Sequence, residues 1–147
     1  MPTYPALTPR VIGQAEKTLN AILGRQLAGT GLTEPQWVIL TLAVTTGGPV
    51  DRDRFTHMVA DALKISEADA QAHVADLIAA QRLEITGAGS TMTVTVTGAA
   101  RQLHSQIREA TAGITQRLWG DLPADDLATA GRVLTIITER ASAELAR

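Results

Sequence analysis

The chain has 147 residues, no cysteine and a formal net charge of −2. That length suits one domain with a real hydrophobic core, and the missing cysteine excludes disulfides, thiolate metal sites and thiol-based sensing. Aromatic residues make up only 3% of the chain, so the core must be built from Leu, Ile, Val and Ala, which suits packed helices.

The start of the chain, Met1-Pro2-Thr3-Tyr4-Pro5, has no basic stretch leading into an apolar run and reads as no signal peptide. No apolar run approaches membrane-spanning length. The expectation is a soluble, cytoplasmic protein with no membrane partner.

Thr8-Pro9 reads as an N-cap followed by proline at the first helical position. Val11, Ile12, Ala15, Leu19, Ile22, Leu23 and Leu27 then recur at helical spacing, and Gly29 and Gly31 close the helix. Thr33 and Gln36 have the spacing of a capping box, with Leu32 and Trp37 placed as its hydrophobic staple. Gly47-Gly48-Pro49 ends this second helix. Asp51 caps a third, expected to bury Phe55, Met58, Val59, Ala62 and Leu63. Ser66 with Asp69 opens a fourth, with Ala70, Val74, Leu77 and Ile78 on its inner side. The connection Lys64-Ile65 is short enough for a helix-turn-helix.

A two-stranded hairpin is expected next, with residues 83–86 as one strand, 87–90 as the turn and 91–97 as the other strand. Met92, Val94 and Val96 alternate with threonines, the period of a half-buried strand whose Thr face meets solvent. Two further helices carry apolar stripes: Leu103, Ile107, Ala110, Ile114 and Leu118, then, after Pro123, Leu127, Ala130, Val133, Leu134, Ile137, Ala141 and Leu145. Such stripes are buried either in a single-chain bundle or in an isologous twofold dimer, and periodicity alone does not choose.

The fold class is therefore mainly α with a small β-hairpin wing. A winged helix-turn-helix (32–97) is inserted in a helical frame (8–31 and 98–147), all within a single domain, 1–147. The run Leu32-Thr33-Glu34-Pro35-Gln36-Trp37-Val38-Ile39-Leu40 resembles the second helix of the multiple-antibiotic-resistance regulator (MarR) family. Val96-Thr97-Gly98, leading into a long helix, resembles the junction after that family's wing. The resemblance covers nearly the whole chain, in order and at family length. It implies that the helical frame is a dimerisation frame and that the protein is a homodimeric transcriptional regulator that binds double-stranded DNA, is not an enzyme and needs no cofactor.

In a helix-turn-helix the second helix enters the major groove. Its candidates here are Ser66 toward phosphate, Gln71 toward adenine, and His73 toward a base or phosphate. Asp69 either accepts from a cytosine amino group or compensates the helix dipole. Arg52, Arg54 and Lys64 are candidates for phosphate contacts, with pairing to Asp51, Asp53 and Asp61 as the alternative. Ser90 is the polar side chain at the wing tip.

Two departures stand out. Family members usually carry Arg in this helix and an Asp-x-Arg motif in the wing. Here neither Ala72 nor His73 is Arg, and the tip Gly87-Ala88-Gly89-Ser90-Thr91 has no charge. Between residues 51 and 97, Arg52, Arg54, Lys64 and Arg82 stand against seven acids, a net −3 in the segment meant to meet phosphates. The alternative reading is a winged-helix dimer with weak or lost DNA binding, acting as a ligand- or protein-binding module.

The resemblance also implies a small aromatic or lipophilic ligand held between the dimer frame and the winged domain. The candidates are Arg10, Ile12, Trp37, Leu40, Phe55 and Met58, and each apolar one also reads as ordinary core. Asp53–His57–Asp61 and Asp69–His73 have the i,i+4 spacing of ligands on one helical face. Without cysteine or a clustered third ligand they assign no metal site. No nucleophile elbow, P-loop or dinucleotide fingerprint is present.

Overall fold

Side-chain caps start the first four helices. In the computed structural model, which describes residues 2–147, Thr8 Oγ1 accepts from the Val11 N–H at 3.3 Å. Thr33 and Gln36 close a full capping box, with bonds of 3.4 and 3.0 Å. Asp51 Oδ2 accepts from Arg54 N–H at 3.0 Å, and Ser66 Oγ from Asp69 N–H at 3.1 Å. The resulting order is α1 (Pro9–Leu27), α2 (Glu34–Thr46), β1 (Val50–Asp51), α3 (Arg52–Leu63), α4 (Glu67–Ala79), β2 (Leu83–Thr86), β3 (Thr93–Val96), α5 (Gly98–Trp119) and α6 (Ala124–Leu145). Contacts divide the chain into two compact units, Met1–Thr111 and Ala112–Arg147.

Helix ends are equally local in origin. Gly47 stops α2 in the left-handed conformation that glycine adopts without Cβ cost. Lys64 stops α3 in the same region, at φ +55°, although it carries a side chain. The next residue, Ile65, donates its N–H to the Ala60 carbonyl at 3.1 Å, which reverses the chain into α4.

Within the first unit, α2 is the hub and packs against α1, α3, α4 and β3. Its Ile39 and Leu40 meet Phe55 and Val59 of α3, Val74 and Leu77 of α4, and Leu83 and Val94 of the sheet in one buried cluster. Burial of each such side chain contributes about 1.5–3 kcal/mol. On α3 the buried face is Phe55, Thr56 and Val59; Met58 and Leu63 are half-buried, and Ala62, expected inside, is exposed. Thr56 is tolerated inside because its hydroxyl donates to the Arg52 carbonyl at 2.9 Å.

The wing differs from the expected two-stranded hairpin. Its sheet has three strands in the order β1-β3-β2. Val50 pairs with Val94 and Asp51 with Thr93, while β2 and β3 run antiparallel from Leu83–Val96 to Thr86–Thr93. A two-residue strand between Pro49 and a helix cap has no periodicity to read. The second hairpin strand is also shorter than 91–97, because Gly89–Thr91 winds into a single 3-10 turn. Thr93 and Thr95 are half-buried and not a fully solvated face.

The second unit comprises the end of α5 and all of α6. No α6 residue is buried, and Leu118, Trp119, Leu122, Leu127, Leu134 and Ile137 are all exposed in the single chain. No described helix is long and apolar enough to cross a membrane.

Candidate nucleic-acid interface

The α3–turn–α4 pair presents the outer face that the periodicity anticipated. Ala70, Val74 and Leu77 point into the core, leaving Glu67, Asp69, Gln71, Ala72 and Asp76 exposed. Ser66 holds the start of α4 with its lone pairs, so its hydroxyl proton is the part left for an acceptor such as phosphate. Asp69 sits in the first turn, where a carboxylate complements the helix dipole. His73 is half-buried, which limits its reach compared with Gln71.

His57 does not pair with Asp53 or Asp61 along its own helix. Its Nδ1 contacts the Glu67 carboxylate across the α3–α4 junction. Asp53, Thr56, His57, Glu67 and Gln71 line a cleft of about 220 Å³ between the two helices. Gln71, the expected base reader, is thus both exposed and at the edge of this polar cleft. Among the described residues no His/Asp/Glu group has the geometry to hold a metal ion.

The cationic candidates are dispersed in role. Arg54 is exposed in the first turn of α3. Arg52 is half-buried, and its N–H is tied to the Met92 carbonyl at 3.0 Å, joining α3 to the wing. Lys64 Nζ lies 3.0 Å from Asp61 Oδ1, realising the surface pairing weighed against a phosphate role. At the wing tip, Ser90 is exposed within the 3-10 turn. Gly87 turns the chain at φ +87°, where an added Cβ would lie 2.4 Å from the Thr91 carbonyl oxygen.

The ligand candidates separate by burial. Leu40 and Phe55 are 0% and 1% exposed in the single chain, as the ordinary-core alternative for these two candidates describes. Ile12 and Met58 are half-buried, and Arg10 is exposed in the first turn of α1. Trp37 is half-buried, but its ring is engaged: His104 of α5 stacks on it with centroids 4.6 Å apart and planes at 17°. The same imidazole has Nε2 3.1 Å from Thr41 Oγ1. His104 escaped the sequence reading because it sits between the stripe positions Leu103 and Ile107, with no pattern of its own.

Helices α2, α3 and α4 with a three-stranded wing define the class: a winged helix-turn-helix. The fold is that of MarR-type regulators. A MarR protein from Peptoclostridium difficile superposes with a TM-score of 0.75 at 13% identity, covering 98% of this chain and 97% of that one. A mutant MarR from E. coli complexed with operator DNA gives 0.70 at 16% identity, covering 87% and 91%. BpsR of Bordetella bronchiseptica, whose structure is described as a mechanism for regulation of DNA binding by 6-hydroxynicotinic acid, gives 0.69 at 20% identity, covering 94% and 98%. No family model and no curated protein matches the sequence.

Proposed function

We propose that the protein is a MarR-family transcriptional regulator that binds DNA as a homodimer, in the cytoplasm, without catalytic activity. The observation that carries this reading is the exposed outer face of α4 on an intact, capped helix-turn-helix. Each subunit offers α4 to a major groove, with Gln71 and Ser66 leading, His73 and Asp69 beside them, and Arg52, Arg54, Lys64 and Ser90 toward the backbone. The chain acts as one domain, 1–147, in which 32–97 binds DNA and the segments 8–31 and 98–147 form the dimer frame. The exposed leucines and isoleucine of α6 support that frame, since a contiguous apolar stripe seeks a partner.

A small aromatic or lipophilic ligand approaches through Arg10, Ile12, Trp37 and Met58, with Leu40 and Phe55 as the buried apolar candidates. It regulates only by binding two spacings of the winged domains with different affinity. Selecting bound sequences from random duplex DNA tests the reading. Enrichment of a palindromic site is the expected result, and recovery of no sequence at low salt would overturn it.

The second reading, a winged-helix dimer that works as a ligand- or protein-binding module, is favoured by one feature. The wing tip carries no charge, and the segment around it is net acidic. Ligand binding with no DNA affinity at low salt is its signature.

A further inference from the structure

Thr56 and His104 are the buried polar side chains among the described residues. Thr56 satisfies a backbone carbonyl one turn away, as threonines in helices often do. His104 has a different setting. α5 buries three side chains, Ala100, His104 and Ile107, and of these only His104 is polar. Its ring spans two α2 side chains four residues apart, and such pairs share one helical face. Trp37 covers the flat of the imidazole at 4.6 Å, and Thr41 Oγ1 meets Nε2 at 3.1 Å.

This arrangement suits a neutral ring. A neutral imidazole stacks on indole without a counter-ion, and its Nε2 has a partner in Thr41 Oγ1. An imidazolium in the same place would be 2% exposed. The charges acting on it, Arg108 and Arg101, are both cations of its own helix. The helix packed against the ring offers no acid to offset them: α2 presents Trp37 and Thr41, and its single charged residue, Glu34, is exposed at its start. Burial first, then Arg108 and Arg101, hold the His104 pKa below its ordinary 6.5.

We propose that Trp37, His104 and Thr41 form an acid-released clamp, in which His104 is a positioning residue that holds α5 on α2 while neutral and lets it go on protonation. The direction follows from linkage. The unfolded chain takes up the proton near pH 6.5, before the folded chain does. The clamp's stabilisation is therefore complete above that pH and is lost as pH falls through the lower folded value. The device goes beyond DNA binding and does not depend on it.

The test uses the full chain with Trp119→Phe, so that Trp37 is the only tryptophan, and compares it with the same chain carrying His104→Gln. Glutamine keeps an amide for Thr41 and does not titrate. From about pH 8 down to about pH 5, three results are expected. The His104 ring protons titrate with a midpoint below 6.5, Trp37 emission changes along that midpoint, and the urea midpoint falls more steeply than in the His104→Gln chain. Should the glutamine chain fail to fold, ring titration and emission in the Trp119→Phe chain decide alone. A His104 midpoint at or above 6.5, Trp37 emission that does not follow it, or the same acid response in both chains would overturn the clamp.

Discussion

Arg82 Nη2 donates a hydrogen bond to the Thr30 carbonyl oxygen at 2.9 Å, tying the turn after α4 to the loop between α1 and α2. Gly31 makes room for it: this residue lies at φ +79°, and a Cβ there would approach Arg82 Nη2 at 3.2 Å. The fourth of the cations between residues 51 and 97 thus serves the fold. Replacing Arg82 with methionine keeps the stem and removes the donor. It should lower stability by roughly 1–2 kcal/mol, the range for a partly exposed hydrogen bond from a charged group. Urea unfolding reads this directly, and an unchanged midpoint would show the bond to be incidental.

Gly87→Ala tests the wing. A side chain at φ +87° is strained, and its Cβ would collide with the Thr91 backbone oxygen. We expect a cost of about 1–3 kcal/mol, confined to the hairpin. Amide exchange at Thr86 and Thr93 should accelerate many-fold while Ile39 and Val59 keep their protection. Uniform acceleration would instead mean that the wing and the helical core unfold together.

The α6 stripe makes the dimer prediction. Leu134 and Ile137 are each 39% exposed in the lone chain, so a carboxylate placed by Ile137→Glu can reach water there. Buried unpaired across an interface, the same carboxylate costs several kcal/mol. Sedimentation should show a wild-type dimer at micromolar concentration and an Ile137→Glu monomer of undiminished helicity. A well-folded wild-type monomer would remove the dimer from the proposed function.

The salt dependence of DNA affinity should be bounded by the few cations each subunit offers. Arg52, Arg54 and Lys64 in each subunit allow about six phosphate contacts per dimer, hence a log–log slope no steeper than about −5. Arg54→Ala should weaken all sequences alike, whereas Gln71→Ala should mainly relax the choice at one base position. A steeper slope would place the DNA-facing surface elsewhere on the chain.

The helices and the apolar side of the wing are legible in the sequence, because each rests on neighbours close in sequence. Thr8, Thr33, Asp51 and Ser66 cap amides within three residues, and Val94 and Val96 alternate with threonine in a strand two residues apart per face. The candidate interface was legible to the same extent: which α4 residues face outward follows from a period of 3.6.

Other features were decided only by tertiary contact. β1 exists because Val50 and Asp51 find β3 more than forty positions away; nothing in two residues announces a strand. His57 turns from Asp53 and Asp61, its helical neighbours, to Glu67 on the next helix. Leu40 and Phe55 close into the core, a burial that periodicity cannot distinguish from a place on a pocket wall. His104 and Trp37, sixty-seven positions apart, become stacked rings. The physical reason is common to all four. Capping and amphipathic periodicity are energies of a short segment with itself, whereas strand pairing, cross-helix contacts and the burial of a polar ring are set by which surfaces the packed helices bring together.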